Sequence, residues 1–206
     1  MNLLRRCRAY MPKGEYTLTS ALPGCEWLLA YMHVQQASEH IDLFNVMCFD
    51  FAGPWSSTSG HHSQLYSPEP PAAGAPTSCF NIIQYLRHQK VPAAKILLGI
   101  PTYGRSFLGA TAIGESYSGA GGHQGAIEYK DLPEPGSDED VDRYAGAAYS
   151  VGGNGGFVTF DNPFTVIMKA TFVRKNNLAG LFYWDGTGDV DGPRSLILAG
   201  YHSLHE

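Results

Sequence analysis

Charge is scarce in this chain. Its 206 residues include 14 Lys and Arg against 19 Asp and Glu, a charged fraction of 16% and a formal net charge of −5, where soluble domains typically carry about 25% charged residues. No basic group is denser than Leu4-Arg5-Arg6, which argues against nucleic acid or an anionic membrane surface as the main partner. Long apolar runs are missing too. The best candidate, Trp27-Leu28-Leu29-Ala30-Tyr31-Met32, falls far short of the roughly 18 residues a membrane helix needs. The N-terminus places Arg5, Arg6 and Arg8 where a secretory signal needs an apolar core, so it reads as the start of a helix and not as a signal peptide. The four cysteines, Cys7, Cys25, Cys48 and Cys79, form no CxxC and no Cys/His pairing that would suggest zinc. Their even number leaves disulfides open, but buried free thiols are the favoured reading. Neither a metal nor a cofactor is expected.

What the chain does have is 44% hydrophobic residues, 12% aromatics, 24 glycines and 13 prolines, a composition that excludes disorder and suits a neutral ligand. Apolar, β-branched segments alternate with helical ones. Strands are expected over 16–22, 43–51, 95–101 and 179–185, with the third covered on both faces. An amphipathic helix is expected over 26–36, others over 80–88 and 192–202, and one opening at Asp161-Asn162-Pro163 with a cap and a first-turn proline. Strand followed by helix four times implies an α/β fold with parallel pairing and right-handed crossovers, which lines up the strand C-termini along a ligand-binding edge. The segment 108–160, rich in Gly and Tyr, breaks the rhythm and reads as a small α+β insertion between the third and fourth strands, with strand pieces at 126–129 and 156–160. The expected division is 1–107 and 161–206 in the main domain and 108–160 in the insertion.

The strand ends carry the chemistry: Asp50 after the second strand, Tyr103 and Arg105 after the third, Trp184 and Asp185 after the fourth. An acid between two phenylalanines, as in Phe49-Asp50-Phe51, is costly to bury without partners. Its alternatives are a hydrogen-bonding role at a site or a structural cap of a loop. Trp55, Tyr103 and Trp184 in a charge-poor chain suit stacking on sugar rings. Other signals read as bland. The acidic run from Asp138 to Asp142 fails the calcium-loop pattern at Arg143 and Tyr149, and is expected to be a solvated loop. The glycines from Gly186 to Gly192 miss the dinucleotide pattern because Asp191 replaces the third glycine. His61 and His62 are expected to be loop histidines without a metal.

One resemblance is specific. Asn45-Val46-Met47-Cys48-Phe49-Asp50, with Gly53-Pro54-Trp55 after it, resembles the strand-six motif Asn-x-Met-x-Tyr-Asp, Gly-x-Trp of family 18 glycoside hydrolases, the chitinases. Gly60-His61-His62-Ser63-Gln64-Leu65-Tyr66, Gly99-Ile100-Pro101-Thr102-Tyr103-Gly104-Arg105 and Gly180-Leu181-Phe182-Tyr183-Trp184-Asp185 are similar to the segments that follow in that family, in order. The likeness is greatest to its fungal secreted branch. It implies strands five to eight of a (β/α)8 barrel, a fold that takes about 250 residues when complete, and hence a partial barrel with two open edges. It further implies a substrate-assisted, retaining cleavage of β-1,4-linked N-acetylglucosamine, an exception to the two-carboxylate scheme. By position, Asp50 holds the acetamide, Met47 lines and Trp184 floors the −1 pocket, Tyr103 and Arg105 contact substrate, and Trp55 stacks on the leaving-group side. Phe49 stands where the family has tyrosine. The general acid's motif, Asp-x-x-Asp-x-Asp-x-Glu, does not occur in the sequence. The expected partners are chitin or its oligosaccharides and a complementing half-barrel chain, in an extracellular setting. The alternatives are a non-catalytic chitin-binding lectin and a truncated gene product without activity of its own.

Overall fold

The computed structural model describes residues 2–67 and 77–205. The polar loop expected after Pro54 runs into 68–76, outside the described residues. Helix α1, Asn2–Tyr10, opens the chain. Strands β1 (Thr19–Pro23), β2 (Leu43–Met47), β3 (Ile96–Pro101) and β9 (Gly180–Trp184) form one sheet, all parallel, in the order β1-β2-β3-β9. Helices α4 (Cys79–His88), α5 (Pro163–Lys175) and α6 (Leu196–His205) complete the α/β pattern. No helix among the described residues is long and apolar enough to cross a membrane.

The period of two decides which face of the parallel sheet is covered. Phe44, Val46, Ile96, Leu98 and Ile100 are buried, and they share a core with Ile82, Ile83 and Leu86 of α4 and Val166, Phe172 and Val173 of α5. By register, Ala21, Asn45 and Leu97 form one row of the opposite face, and Pro23 and Met47 lie along it with Phe182 and Trp184. Ala21 and Trp184 on that face are exposed, and Asn45, Met47, Leu97 and Phe182 only half-buried. The third strand is therefore less completely covered than its apolar sequence suggested, since Leu97 faces this open side.

The stretch expected as one helix over 26–36 is two four-residue helices, α2 (Glu26–Leu29) and α3 (Val34–Ala37). Each buries one apolar anchor, Leu29 or Val34. Anchors five residues apart lie about 140° apart around a continuous helix, so a break lets both reach the core.

The regular elements of the segment expected as an α+β insertion are all strands apart from one 3₁₀ turn, Tyr129–Asp131. Strands β4 (Tyr103–Phe107), β5 (Ala126–Glu128), β6 (Ser137–Asp142), β7 (Ala147–Gly152) and β8 (Gly156–Phe160) make an antiparallel sheet in the order β5-β4-β8-β7-β6. This sheet begins at Tyr103, because β3 continues through a single residue, Thr102, directly into β4. Thr102 is buried; its N–H donates to the Trp184 carbonyl at 2.9 Å, and its carbonyl accepts from Tyr129 N–H at 2.9 Å. The acidic run is not a solvated loop but edge strand β6. Asp138 and Asp140 point to solvent while Glu139 turns inward, bonding Asn162 at 2.7 Å and Arg194 at 3.1 Å. Outward charges on an edge strand discourage pairing with another chain, so the acids are compatible with strand after all.

The cysteines are free, Cys48 and Cys79 buried, Cys7 and Cys25 half-buried. Asn162 caps α5 in a reciprocal box with Thr165, and Pro163 follows, as expected. Beside this cap lies a buried ion pair. Lys169 of α5 reaches both oxygens of Asp161 at 2.7 and 2.6 Å, with neither side chain exposed. Thr165 and Ser63 donate to the same carboxylate at 2.7 and 3.0 Å. Removing one partner of such a pair leaves an uncompensated buried charge. Lys169→Met should therefore cost about 3–5 kcal/mol in chemical denaturation; a loss under about 1 kcal/mol would show that Asp161 does not depend on its lysine.

Candidate functional site

Asp50 stands three residues beyond β2 with φ 62°, a left-handed conformation costing a non-glycine residue about 1 kcal/mol or more. Its carboxylate is held by a two-pronged contact: Arg105 Nε donates to Oδ1 at 2.8 Å and a terminal guanidinium nitrogen to Oδ2 at 2.9 Å. This planar fork matches the carboxylate geometry and is stronger than a neutral hydrogen bond. It also bridges the two sheets, since Arg105 lies on β4. Burial acts to raise the Asp50 pKa, but His62 at 3.7 Å and the Arg105 fork outweigh it and hold the carboxyl well below the usual range. Arg105 is held charged in return, Asp50 overcoming the opposing effect of burial.

Aromatic rings surround the fork. The guanidinium carbon lies 4.9 Å from the centroid of Trp55 and 5.0 Å from that of Tyr103, within cation–π range. Burial, and next the Asp50 charge, push the Tyr103 hydroxyl up, so it stays protonated. Phe49 is buried, edge-on to Tyr103 at 6.1 Å and 6.3 Å from Phe182. Trp55 is 59% exposed. It folds back over Gly53, where a Cβ would sit only 2.4 Å from the indole, so glycine is what allows the ring this position. Gly24 is required for a similar reason: a Cβ there would meet the Met47 carbonyl at 2.2 Å where the chain crosses the end of β2.

A cleft of about 490 Å³ opens here, with Asp50, Phe51, Trp55, Glu26 and Trp27 among its lining residues. Trp27, 66% exposed on α2, lines this cleft and was not among the residues expected there. The signal was present, because Trp27 follows shortly after the end of a strand, as Trp55 does. Of the residues expected at the site, the structure brings Asp50, Arg105, Tyr103, Phe49 and Trp55 together. Met47 and Trp184 lie farther along the same sheet end, opposite Pro23 and Pro101 in register, with Trp184 exposed.

His61 and His62 lie in a loop but are not solvent-facing. Both are buried. His61 sits 3.2 Å from Thr159 Oγ1 and 3.5 Å from Asp142 Oδ2, holding the Asp142 carboxyl down at about 2 against burial. His62 packs on Tyr103 with centroids 5.4 Å apart. Among the described residues no group of three or more His, Cys, Asp or Glu side chains could hold a metal ion.

Parallel strands covered by helices on one face, with an arginine-held acid and exposed tryptophans at the strand C-termini, define an α/β protein with a ligand edge where such folds place one. The chain belongs to glycosyl hydrolases family 18, whose family model matches residues 1–189. It is 32% identical over 187 residues to endochitinase 1 of Metarhizium robertsii, an alignment covering 89% of this chain and 44% of that protein. To chitinase 1 of Aphanocladium album it is 33% identical over 202 residues, covering 95% and 48%. The chain thus spans about half the length of the curated relatives it matches. Among solved structures, the fold is shared with human YKL-39 (TM-score 0.87, 23% identity, 100% of this chain and 62% of that one). It is shared equally with a group IV chitinase of Ostrinia furnacalis (TM-score 0.88, 24% identity, 100% and 62%).

The fork makes stability depend on pH with a definite sign. Arg105→Met lets the Asp50 pKa rise. In the wild type the stabilisation is present above the unfolded carboxylate value of 3.8 and is lost as the pH falls through the depressed folded value. The stability gap between wild type and Arg105→Met, read by denaturation, should therefore be full at pH 7 and close in acid. A gap constant down to pH 2 would show that the fork does not keep Asp50 ionised.

Proposed function

We propose that this chain is the sugar-holding part of a chitinase-type (β/α)8 barrel, supplying strands five to eight, and that it binds β-1,4-linked N-acetylglucosamine oligomers at the ends of β2, β3 and β9. The observation that carries the reading is the Asp50–Arg105 fork beside exposed Trp55 and half-buried Tyr103. An ionised carboxylate at that edge accepts a hydrogen bond from a sugar acetamide N–H, turning the acetamide oxygen toward the anomeric carbon for a substrate-assisted, retaining cleavage. Trp184 gives an apolar floor for one ring, Met47 lines that pocket, and Trp55 stacks on the next ring on the leaving-group side. Tyr103 and Arg105 contact substrate from β4.

Two features limit the reaction. Cleavage needs a proton donor for the glycosidic oxygen, and the glutamate that closes Asp-x-x-Asp-x-Asp-x-Glu in this family has no counterpart in the sequence. Phe49 offers no hydroxyl to the acetamide. The open face around Asn45, Met47 and Leu97, with edges β1 and β9, is where a complementing half-barrel carrying that glutamate fits. An insoluble polymer as substrate implies action outside the cell.

Phe49 favours a second reading, a binding protein without turnover. YKL-39, a structural neighbour, is described as a pseudo-chitinase that retains chitooligosaccharide binding.

Isothermal titration of the purified chain with tetra-N-acetylchitotetraose should show binding without release of shorter sugars. Trp184→Ala should weaken retention on insoluble chitin about tenfold or more, as loss of a stacking tryptophan does at recognition hot spots. Hydrolysis by the chain alone, or unchanged retention by Trp184→Ala, would refute the assignment. Phe49→Tyr should raise turnover when a half-barrel bearing the acidic motif is supplied, and an unchanged rate would remove Phe49 from the sugar site.

A further inference from the structure

His62 is wholly buried behind the Asp50–Arg105 fork. Its Nδ1 lies 3.7 Å from Asp50 Oδ1, the oxygen that accepts from Arg105 Nε at 2.8 Å. Neither ring nitrogen has a hydrogen-bond partner among the described residues. Buried polar atoms without partners cost free energy and are uncommon in native proteins, and an apolar ring would fill the same space without that cost. The imidazole is also held in place. Its ring packs on Tyr103, the backbone carbonyl of His62 accepts from Phe51 N–H at 3.0 Å, and the neighbouring Ser63 is tied to Asp161. The half-buried Asp50 side chain has more room to move than the wholly buried ring.

We infer that His62 is a positioning residue for Asp50: the imidazole and the Arg105 guanidinium compete for Oδ1, and the protonation of the ring sets which of them holds it. Neutral His62 leaves the fork closed on both oxygens. The imidazolium adds a charged donor 3.7 Å from Oδ1, draws that oxygen toward the ring and opens the fork at Nε. The proton is exchanged with solvent and no covalent bond to carbon changes. Asp50 and Asp161 favour the imidazolium, Arg105 opposes it, Tyr103 faces the ring as a neutral phenol, and Lys169 is matched by Asp161. Burial is the largest influence and keeps the ring below the ordinary value of 6.5, so the exchange falls on the acid side of that value. Only the consequence for sugar rests on the proposed function: a carboxylate turned toward His62 is withdrawn from the acetamide, and binding weakens as the pH falls.

The test follows the ¹⁵N signals of the His62 ring and of Arg105 Nε in the purified chain between pH 4 and pH 8. The Arg105 Nε signal should titrate with the His62 midpoint in the wild type and stay flat in His62→Gln, which keeps a donor but cannot be protonated. Titration with tetra-N-acetylchitotetraose should lose about tenfold in affinity from pH 7 to pH 4.5 in the wild type, the size of one charge-assisted hydrogen bond, and less than about twofold in His62→Gln. Should His62→Gln fail to fold, the wild-type ¹⁵N titration decides alone. An Arg105 signal that ignores the His62 midpoint, or titrates equally in the variant, overturns the inference. Coupled ¹⁵N titrations without sugar binding at any pH support the inference and overturn the assignment of Asp50 to sugar.

Discussion

The arrangement of the two sheets depends on one buried charge. Asp161 lies where β8 gives way to α5, and its carboxylate gathers Lys169 and Thr165 from that helix and Ser63 from the loop beyond β2. A carboxylate without solvent is tolerable only when its hydrogen-bonding capacity is filled and its charge matched. That requirement joins the second sheet, helix α5 and the loop carrying both histidines. The hydrophobic core is continuous across the same junction, running from Val46 and Leu98 to Val158 and Phe160, but apolar contact alone is not directional. The ion pair supplies the direction.

Two links then tie the strand ends together over this base. Thr102 carries one strand from the first sheet into the second, and the Asp50–Arg105 fork closes the gap between them from the other side. The fork needs both sheets in place, because its acid belongs to the loop after β2 and its base to β4. Ionised Asp50 is thus a consequence of tertiary structure, since burial on its own would favour the neutral acid. Trp55 and Tyr103 line the guanidinium and keep the charge pair partly shielded from water.

The sequence carried much of this in readable form. Apolar runs around Val46, Leu98 and Leu181 placed three of the four parallel strands, because a strand packed under helices is apolar. Asp50 stood out since an acid between phenylalanines needs a reason. Less legible were features that depend on partners far along the chain. His61 and His62 looked like loop residues, for nothing local reveals that Thr159, Asp142 and Asp50 close over them. Acids from Asp138 to Asp142 looked like a solvated loop, because their alternation is visible only once β7 defines the inner face. Trp27 was hidden in an apparently simple amphipathic helix, and the need of Leu29 and Val34 to face the same core is what divides that helix in two.

The passage of one strand through both sheets also fixes how the cleft can move. With only Thr102 between β3 and β4, the second sheet cannot slide along the first; it can only pivot. Arg105 lies three residues past the pivot, about 10 Å away at strand rise, so a rotation of roughly 5° displaces its guanidinium by about 0.9 Å. That is enough to lengthen a 2.8 Å contact beyond hydrogen-bonding range. The fork therefore acts as a mechanical stop for that pivot, added to the base that the Asp161–Lys169 pair holds in place.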